Sequence, residues 1–138
     1  MKEAIKISWL NNLAFEAEVD GHKLLMDRSP EKGGKTTGPR PKPLMMVALG
    51  GCTGMDVASI LKKMRVDFDE LSIEVKGDVA EKQPKEFTGM KIIYRVKGRG
   101  IKREKVEKAV NLSFKKHCCV SVNYSKAFPI THEIIIEE

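Results

Sequence analysis

The chain has 138 residues, of which 41% are hydrophobic and 32% are charged. This composition excludes an intrinsically disordered chain, and the length fits one domain, so we expect residues 1–138 to form a single domain. The net charge of +6 would suit nucleic acid or an anionic membrane. However, the basic residues are spread along the chain among glutamates and only 6% of residues are aromatic. We therefore predict neither partner.

The first part of the chain alternates between apolar and polar residues in three short segments. Turn-forming pairs, Asn11-Asn12 and Asp20-Gly21, separate these segments. The pattern predicts a three-stranded antiparallel meander over residues 3–10, 13–20 and 22–27.

A loop and a long apolar segment follow. Residues 28–43 contain four of the six prolines and predict a long loop without regular structure, functional or mobile. Residues 44–64 predict a helix that is apolar nearly all round and hence buried on most sides. Its uncharged run ends at Asp56 and is too short to span a bilayer. One small domain can hardly cover such a helix, which indicates a dimer.

The second half of the chain predicts a hairpin, two helices and a final strand. The strands are expected over 68–81 and 87–97, and the amphipathic helix over 103–116, followed by a short helix through Ala127 and a strand over 130–136. The apolar stripe of the amphipathic helix comprises Val106, Ala109, Val110 and Ser113. Because strands and helices occur in blocks, the predicted fold class is α+β.

The three cysteines are Cys52, Cys118 and Cys119. No secretory signal precedes them, so we expect a reducing cytoplasm, where cysteines are reactive or simply buried. Cys52 is either a small buried residue or a nucleophile, in which case Gly50-Gly51 would open space for a substrate. Asp56, one helical turn later, would oppose thiolate formation at Cys52, so a reactive Cys52 needs a cation. The candidates are Arg28 and Arg40.

Cys118 follows two lysines and a histidine and opens the predicted short helix. Both features favour a thiolate, although Cys118 is equally well read as a structural residue at a helix junction. We expect Cys119 to face the core. A metal site built from the cysteines with His22, His117 and His132 is the weaker alternative, because the chain has neither C-x-x-C nor H-x-x-x-H spacing. We predict no metal.

Two stretches, PRPKPLMMVALGGCTGMDVASIL and AVNLSFKKHCCVS, resemble the OsmC/Ohr superfamily in its YhfA-type branch. The resemblance implies an OsmC-like α+β fold with antiparallel sheets around a long buried central helix, in an intertwined homodimer. It also implies a thiol peroxidase that reduces organic hydroperoxides without a metal or organic cofactor. Cys52 would be the peroxidatic cysteine and Cys118 the resolving cysteine, and a dithiol reductant would reopen their disulfide.

The chain departs from the family pattern at two points that concern thiol activation. Pro43 occupies the place of the family's glutamate. The better-studied members also use an arginine from the N-terminal strands, and no arginine precedes Arg28 in this chain. The thiol-activating network is therefore incomplete by this comparison. The alternative function is a non-enzymatic OsmC-fold protein that binds a small ligand or senses redox state.

Overall fold

The computed structural model describes all 138 residues, which form two compact units, Met1–Met45 and Met46–Glu138. The fold is α+β, as the sequence predicts. In chain order its elements are β1 (Lys6–Asn11), β2 (Ala14–Val19), β3 (His22–Met26), α1 (Leu44–Lys63), β4 (Glu70–Val79), β5 (Phe87–Lys97), α2 (Arg103–Leu112), α3 (Cys119–Ser125) and β6 (Ile130–Glu137).

The N-terminal unit contains the predicted meander, with antiparallel strands in the order β1-β2-β3. Asn12 and Asp20 lie in the turns with φ values of 49° and 51°, a left-handed conformation that Asn and Asp tolerate. Ala14 and Ala17 are buried, whereas large apolar side chains such as Trp9 are exposed. The sheet therefore leaves much apolar surface uncovered in a single chain.

The segment 28–43 has more order than the sequence predicts. It contains a short 3-10 turn at Pro30–Lys32 and wraps around the buried carboxylate of Asp27. That carboxylate accepts hydrogen bonds from the backbone N–H groups of Arg28, Lys35 and Thr37, at 2.7, 3.2 and 3.1 Å. The Thr37 hydroxyl donates a fourth, at 2.7 Å. Apart from this 3-10 turn the segment has no helix or strand, so the predicted loop is confirmed, and it is ordered because one side chain satisfies several backbone donors.

These bonds predict an acid transition in the loop. The Thr37 hydroxyl, and then the N–H groups of Arg28 and Thr37, lower the pKa of Asp27 to about 2. Because the folded pKa lies below the unfolded one, Asp27 stabilises the loop above about pH 4, and this stabilisation is lost as the pH falls toward 2. The amide resonances of Lys35 and Thr37 should titrate with a midpoint near pH 2, and not in Asp27→Asn. A midpoint near pH 4 would contradict this assignment.

The C-terminal unit has a sheet in the order β4-β5-β6. The β4–β5 hairpin is antiparallel, as expected, but β6 runs parallel to β5, so this sheet is mixed. A parallel pair needs a crossover connection, which the helices between the two strands provide. The predicted apolar stripe is confirmed as a buried surface, since Val106, Ala109 and Val110 of α2 and the following Ser113 are all buried.

Helix α1 is buried along one stripe only within a single chain. The buried residues recur every fourth position and are Leu49, Thr53, Val57 and Leu61. Val47 and Met55 are instead 65% and 76% exposed. The expectation of burial on most sides therefore does not hold within one chain. By length and composition the whole helix could cross a membrane, although core helices of soluble proteins meet the same criterion.

Two glycines let α1 lie close to β4. A Cβ atom at Gly50 would lie 3.2 Å from Val75 Cγ2, and one at Gly54 would lie 3.1 Å from Ile73 Cγ1. Both distances are shorter than an ordinary carbon–carbon contact of about 3.5–4.0 Å. Gly51 differs, because a Cβ there would meet nothing within 4 Å. Close packing on the sheet thus explains Gly50 and Gly54, but not Gly51.

This packing predicts the sign of a substitution at Gly54. Alanine improves helix propensity by about 1 kcal/mol, but overpacking against Ile73 costs about 1–3 kcal/mol. We expect Gly54→Ala to lower the free energy of unfolding by up to about 2 kcal/mol, measured by urea denaturation. In an Ile73→Ala background the same change should raise it, because the clash is absent. A loss of equal size in both backgrounds would argue against the contact.

Candidate functional site

Cys52 and Cys118, far apart in sequence, lie close together in the C-terminal unit. Cys52 is half-buried near the middle of α1, and Cys118 is fully buried at the residue that caps α3. The two sulfur atoms and a carboxylate oxygen of Asp56 all lie within 4.8 Å of one another. All three cysteines are free thiols. The structure therefore places a thiol pair and a carboxylate in one cluster.

A π-helical turn produces this arrangement. The sequence predicts one helix over 103–116, but α2 ends at Leu112 and Ser113–His117 form a π turn. It is closed by the backbone N–H of Cys118, which donates to the Ser113 carbonyl oxygen at 2.8 Å. Ser113 and Cys118, at the two ends of this bond, both reach the cluster. Such turns are frequent at functional sites.

The surroundings of Cys52 favour its neutral thiol. Burial raises the pKa of Cys52 to about 11, and the hydrogen bond with the Cys118 side chain contributes in the same direction. A hydrogen bond from the backbone N–H of Val120 acts in the opposite direction. The main causes are thus burial and Cys118 rather than the expected repulsion by Asp56. At neutral pH Cys52 needs a proton acceptor before it can react as a thiolate.

The two adjacent cysteines differ in their surroundings. Cys118 caps α3, as predicted, and its Sγ accepts a hydrogen bond from the Ser121 N–H at 3.3 Å. Cys119 is exposed, so the expectation that it faces the core is wrong. The cap turns the Cys118 side chain toward the helix and leaves Cys119, the first helical residue, outside.

Three buried hydroxyl groups, one each on β5, α1 and the π turn, form a hydrogen-bonded chain that ends at the Asp56 carboxylate. Tyr94 Oη lies 2.7 Å from Thr53 Oγ1, and Thr53 Oγ1 lies 2.9 Å from Ser113 Oγ. The Ser113 hydroxyl donates to Asp56 Oδ2 at 2.9 Å. Tyr94, Thr53 and Ser113 are each at most 1% exposed. We call these three residues the hydroxyl chain.

The hydroxyl chain is a part of the site that the sequence does not predict. A threonine in an apolar helix and a serine on an apolar stripe were visible signals, since each must find a partner when buried. Their common partner is not visible in the sequence, because 41 residues separate Thr53 from Tyr94 and 60 separate it from Ser113.

The other candidate residues are divided between the two units. Arg28 and Arg40 are exposed residues of the N-terminal unit, whereas the cysteines belong to the C-terminal unit. Pro43 also lies in the N-terminal unit. The histidines are absent from the cysteine cluster, so the metal site considered from the sequence is not assembled. The three side chains that do meet, Cys52, Asp56 and Cys118, offer three ligand atoms, fewer than the four of a structural zinc site and as many as a catalytic one.

Comparisons with known proteins show the family of this chain and proteins that share its fold. The family model described as OsmC-like protein matches residues 33–133. Protein YhfA of Escherichia coli strain K12 is 36% identical over 128 residues, which cover 92% of each chain. The crystal structure of a hypothetical protein from Aquifex aeolicus VF5 has a TM-score of 0.82 at 27% identity, covering 100% of this chain and 99% of that one. The organic hydroperoxide resistance protein OhrB of Bacillus subtilis shares the fold, with a TM-score of 0.65 at 16% identity over 96% of this chain and 98% of that one.

Proposed function

Since this chain belongs to the OsmC-like family, we propose that it is a cytoplasmic thiol-dependent peroxidase that reduces organic hydroperoxides. The observation that carries the proposal is the approach of the Cys52 and Cys118 sulfurs to within 4.8 Å. A disulfide brings its two sulfurs to about 2 Å, so the sulfurs must approach by at most about 3 Å to bond. Relatives of the same fold named for hydroperoxide resistance support the substrate class.

The proposed cycle begins at Cys52, because it is half-buried whereas Cys118 is fully buried. The Cys52 thiolate attacks the terminal oxygen of the hydroperoxide, the O–O bond breaks, and an alcohol leaves. The product at Cys52 is a sulfenic acid. The Cys118 thiol condenses with it, releasing water and forming a disulfide. A dithiol reductant supplies two electrons and two protons to restore both thiols.

Activation of Cys52 by a cation remains part of the proposal. Arg28 and Arg40 are both exposed and stand within the loop that Asp27 organises. A guanidinium beside Cys52 would favour its thiolate and counter the raised pKa. We propose that one of them supplies this charge in the assembled protein.

A homodimer accounts for the surface of α1. The exposed side chains of Val47 and Met55 and the open space above Gly51 share one face of the helix. An apolar strip of this kind indicates a protein partner. We propose that a second copy covers it, and that residues 1–138 act as a single OsmC-like domain, since the family match spans the boundary between the two units.

Steady-state turnover tests the proposal. The purified protein, with a dithiol reductant and an organic hydroperoxide such as cumene hydroperoxide, should consume hydroperoxide catalytically. Hydrogen peroxide under the same conditions gives the comparison for substrate class. An absence of turnover with dithiol reductants would contradict the peroxidase function.

The alternative is a non-enzymatic OsmC-fold protein that binds a small ligand or senses redox state. Two observations favour it: the pKa of Cys52 is raised to about 11, and Pro43 carries no carboxylate. A sensor would form one disulfide per chain without sustained turnover. The steady-state measurement therefore separates the two functions.

A further inference from the structure

We infer that Asp56 is a catalytic residue, which accepts the proton of the Cys52 thiol and returns it to the leaving alkoxide, and that the hydroxyl chain positions it. This inference rests on the proposed function and adds a residue that neither the motifs nor the comparisons assign. Three observations carry it: the place of Asp56, the direction of its hydrogen bonds and the charges around it.

Asp56 lies in the right place to receive this proton. It follows Cys52 by one helical turn on α1, so the two side chains share a face. Its carboxylate oxygen lies within 4.8 Å of the Cys52 and Cys118 sulfurs. One water molecule, or a small rotation of the side chain, closes such a gap to hydrogen-bond distance.

The direction of the hydroxyl chain follows from counting protons. A hydroxyl has one proton to donate, and Ser113 gives its proton to Asp56 Oδ2. Ser113 must then accept from Thr53, and Thr53 must accept from Tyr94. All three protons thus point toward the carboxylate. The chain holds Oδ2 in place and so fixes the carboxylate beside the two sulfurs.

The charged and titratable groups around Asp56 also fit this role. Those that face it are Cys52 on its own helix, Cys118 at the start of α3, and Tyr94 on β5, whose raised pKa reflects burial first and includes the charges of Cys118 and Asp56. Asp56 forms no ion pair with Lys, Arg or His. None of the three salt bridges of the chain therefore involves this carboxylate.

The proton and electron balance of the step is complete. Asp56 takes the proton from Cys52, and the resulting thiolate donates two electrons to the terminal oxygen of the hydroperoxide. The S–O bond forms as the O–O bond breaks, which leaves a sulfenic acid and an alkoxide. The protonated Asp56 then gives its proton to the alkoxide, which leaves as the alcohol. Asp56 returns to the carboxylate form that accepts from Ser113.

The test compares Asp56→Asn with the parent, both carrying Cys119→Ser so that the exposed thiol does not react. The rates of Cys52 alkylation by iodoacetamide and of Cys52 oxidation by cumene hydroperoxide are measured from pH 6 to 11. At pH 7 we expect the asparagine variant to react about 10²-fold more slowly, a typical loss of general base catalysis. The rates should converge near pH 11, where hydroxide removes the proton instead.

Several outcomes distinguish this inference from the proposed function. Equal rates at pH 7 in both proteins would overturn the role of Asp56, as would a loss that persists unchanged to pH 11, which indicates a structural defect. If alkylation of Cys52 in the parent depends on Asp56 but hydroperoxide does not oxidise Cys52, the proposed function is wrong and the role of Asp56 as proton acceptor is retained.

Tyr94→Phe, which shortens the hydroxyl chain, should lower the rate of Cys52 alkylation at pH 7 by a smaller factor with the same pH dependence. A pH profile identical to that of the parent would contradict the positioning role of Tyr94.

Discussion

Replacing Cys52 by serine is expected to abolish turnover of organic hydroperoxide, lowering the rate at least about 10³-fold. The reason is chemical: the serine hydroxyl is not oxidised by a hydroperoxide and forms no equivalent of the sulfenic acid. The change is nearly isosteric at a half-buried position, so we expect the fold to persist. The measurement is steady-state consumption of cumene hydroperoxide with a dithiol reductant, with circular dichroism to confirm folding.

The chain supplies a matched control for this variant. Cys119 is exposed and lies outside the cluster of Cys52, Asp56 and Cys118. Cys119→Ser should therefore retain turnover within about twofold of the parent. Turnover by Cys52→Ser above one tenth of the parent rate, or a comparable loss in Cys119→Ser, would contradict the assignment of Cys52 as the peroxidatic cysteine.

The second large effect is expected at the uncovered face of α1. Met55 is 76% exposed in a single chain, and in the proposed homodimer it is buried against the second copy. Burying one such side chain contributes about 1.5–3 kcal/mol to the free energy of dimerisation, and a two-fold symmetric dimer buries one from each copy. Met55→Asp also places a charge in that interface. We expect the dimer dissociation constant to rise at least about 100-fold, measured by analytical ultracentrifugation across a concentration series.

Met55→Leu is the control, because it keeps the apolar character and nearly the volume of the side chain. It should leave the dimer intact. If the parent protein is a monomer at micromolar concentration, the proposed homodimer is wrong. If Met55→Asp dimerises as tightly as Met55→Leu, the interface lies on another face.

The sequence predicts the fold well where the pattern is local. Alternation over the first three segments and the turn pairs at Asn11-Asn12 and Asp20-Gly21 predict the meander within a few residues of its bounds. The apolar stripe predicts the buried face of α2 and the burial of Ser113 just beyond its end. In these cases the signal comes from neighbouring residues that share a face, which strand and helix geometry determine.

Other features depend on contacts between distant residues. The parallel direction of β6 depends on how its crossover packs, and β6 has the same alternation in either direction. The π turn at Ser113–His117 interrupts a pattern that a continuous helix would satisfy equally well. Asp27 reads as an ordinary acidic residue after a strand, and only the return of Lys35 and Thr37 makes it the centre of a loop.

The candidate site is likewise predictable from sequence only in part. The motifs around Cys52 and Cys118 indicate both cysteines, and the structure brings them together. Considered from sequence, Asp56 is an unfavourable neighbour for a thiolate. Its hydrogen bond from Ser113, supported by Thr53 and Tyr94, gives it a different role, because a carboxylate held beside a protonated thiol is a proton acceptor.

The disulfide that hydroperoxide should create between Cys52 and Cys118 is the most direct test of the proposed cycle. One equivalent of cumene hydroperoxide is added to the reduced protein, free thiols are blocked, and peptides are mapped by mass spectrometry without reduction. We predict an intrachain Cys52–Cys118 disulfide in the parent and a Cys52 sulfenic acid in Cys118→Ser. Unmodified Cys52 in both proteins, or oxidation confined to the exposed Cys119, would contradict the account.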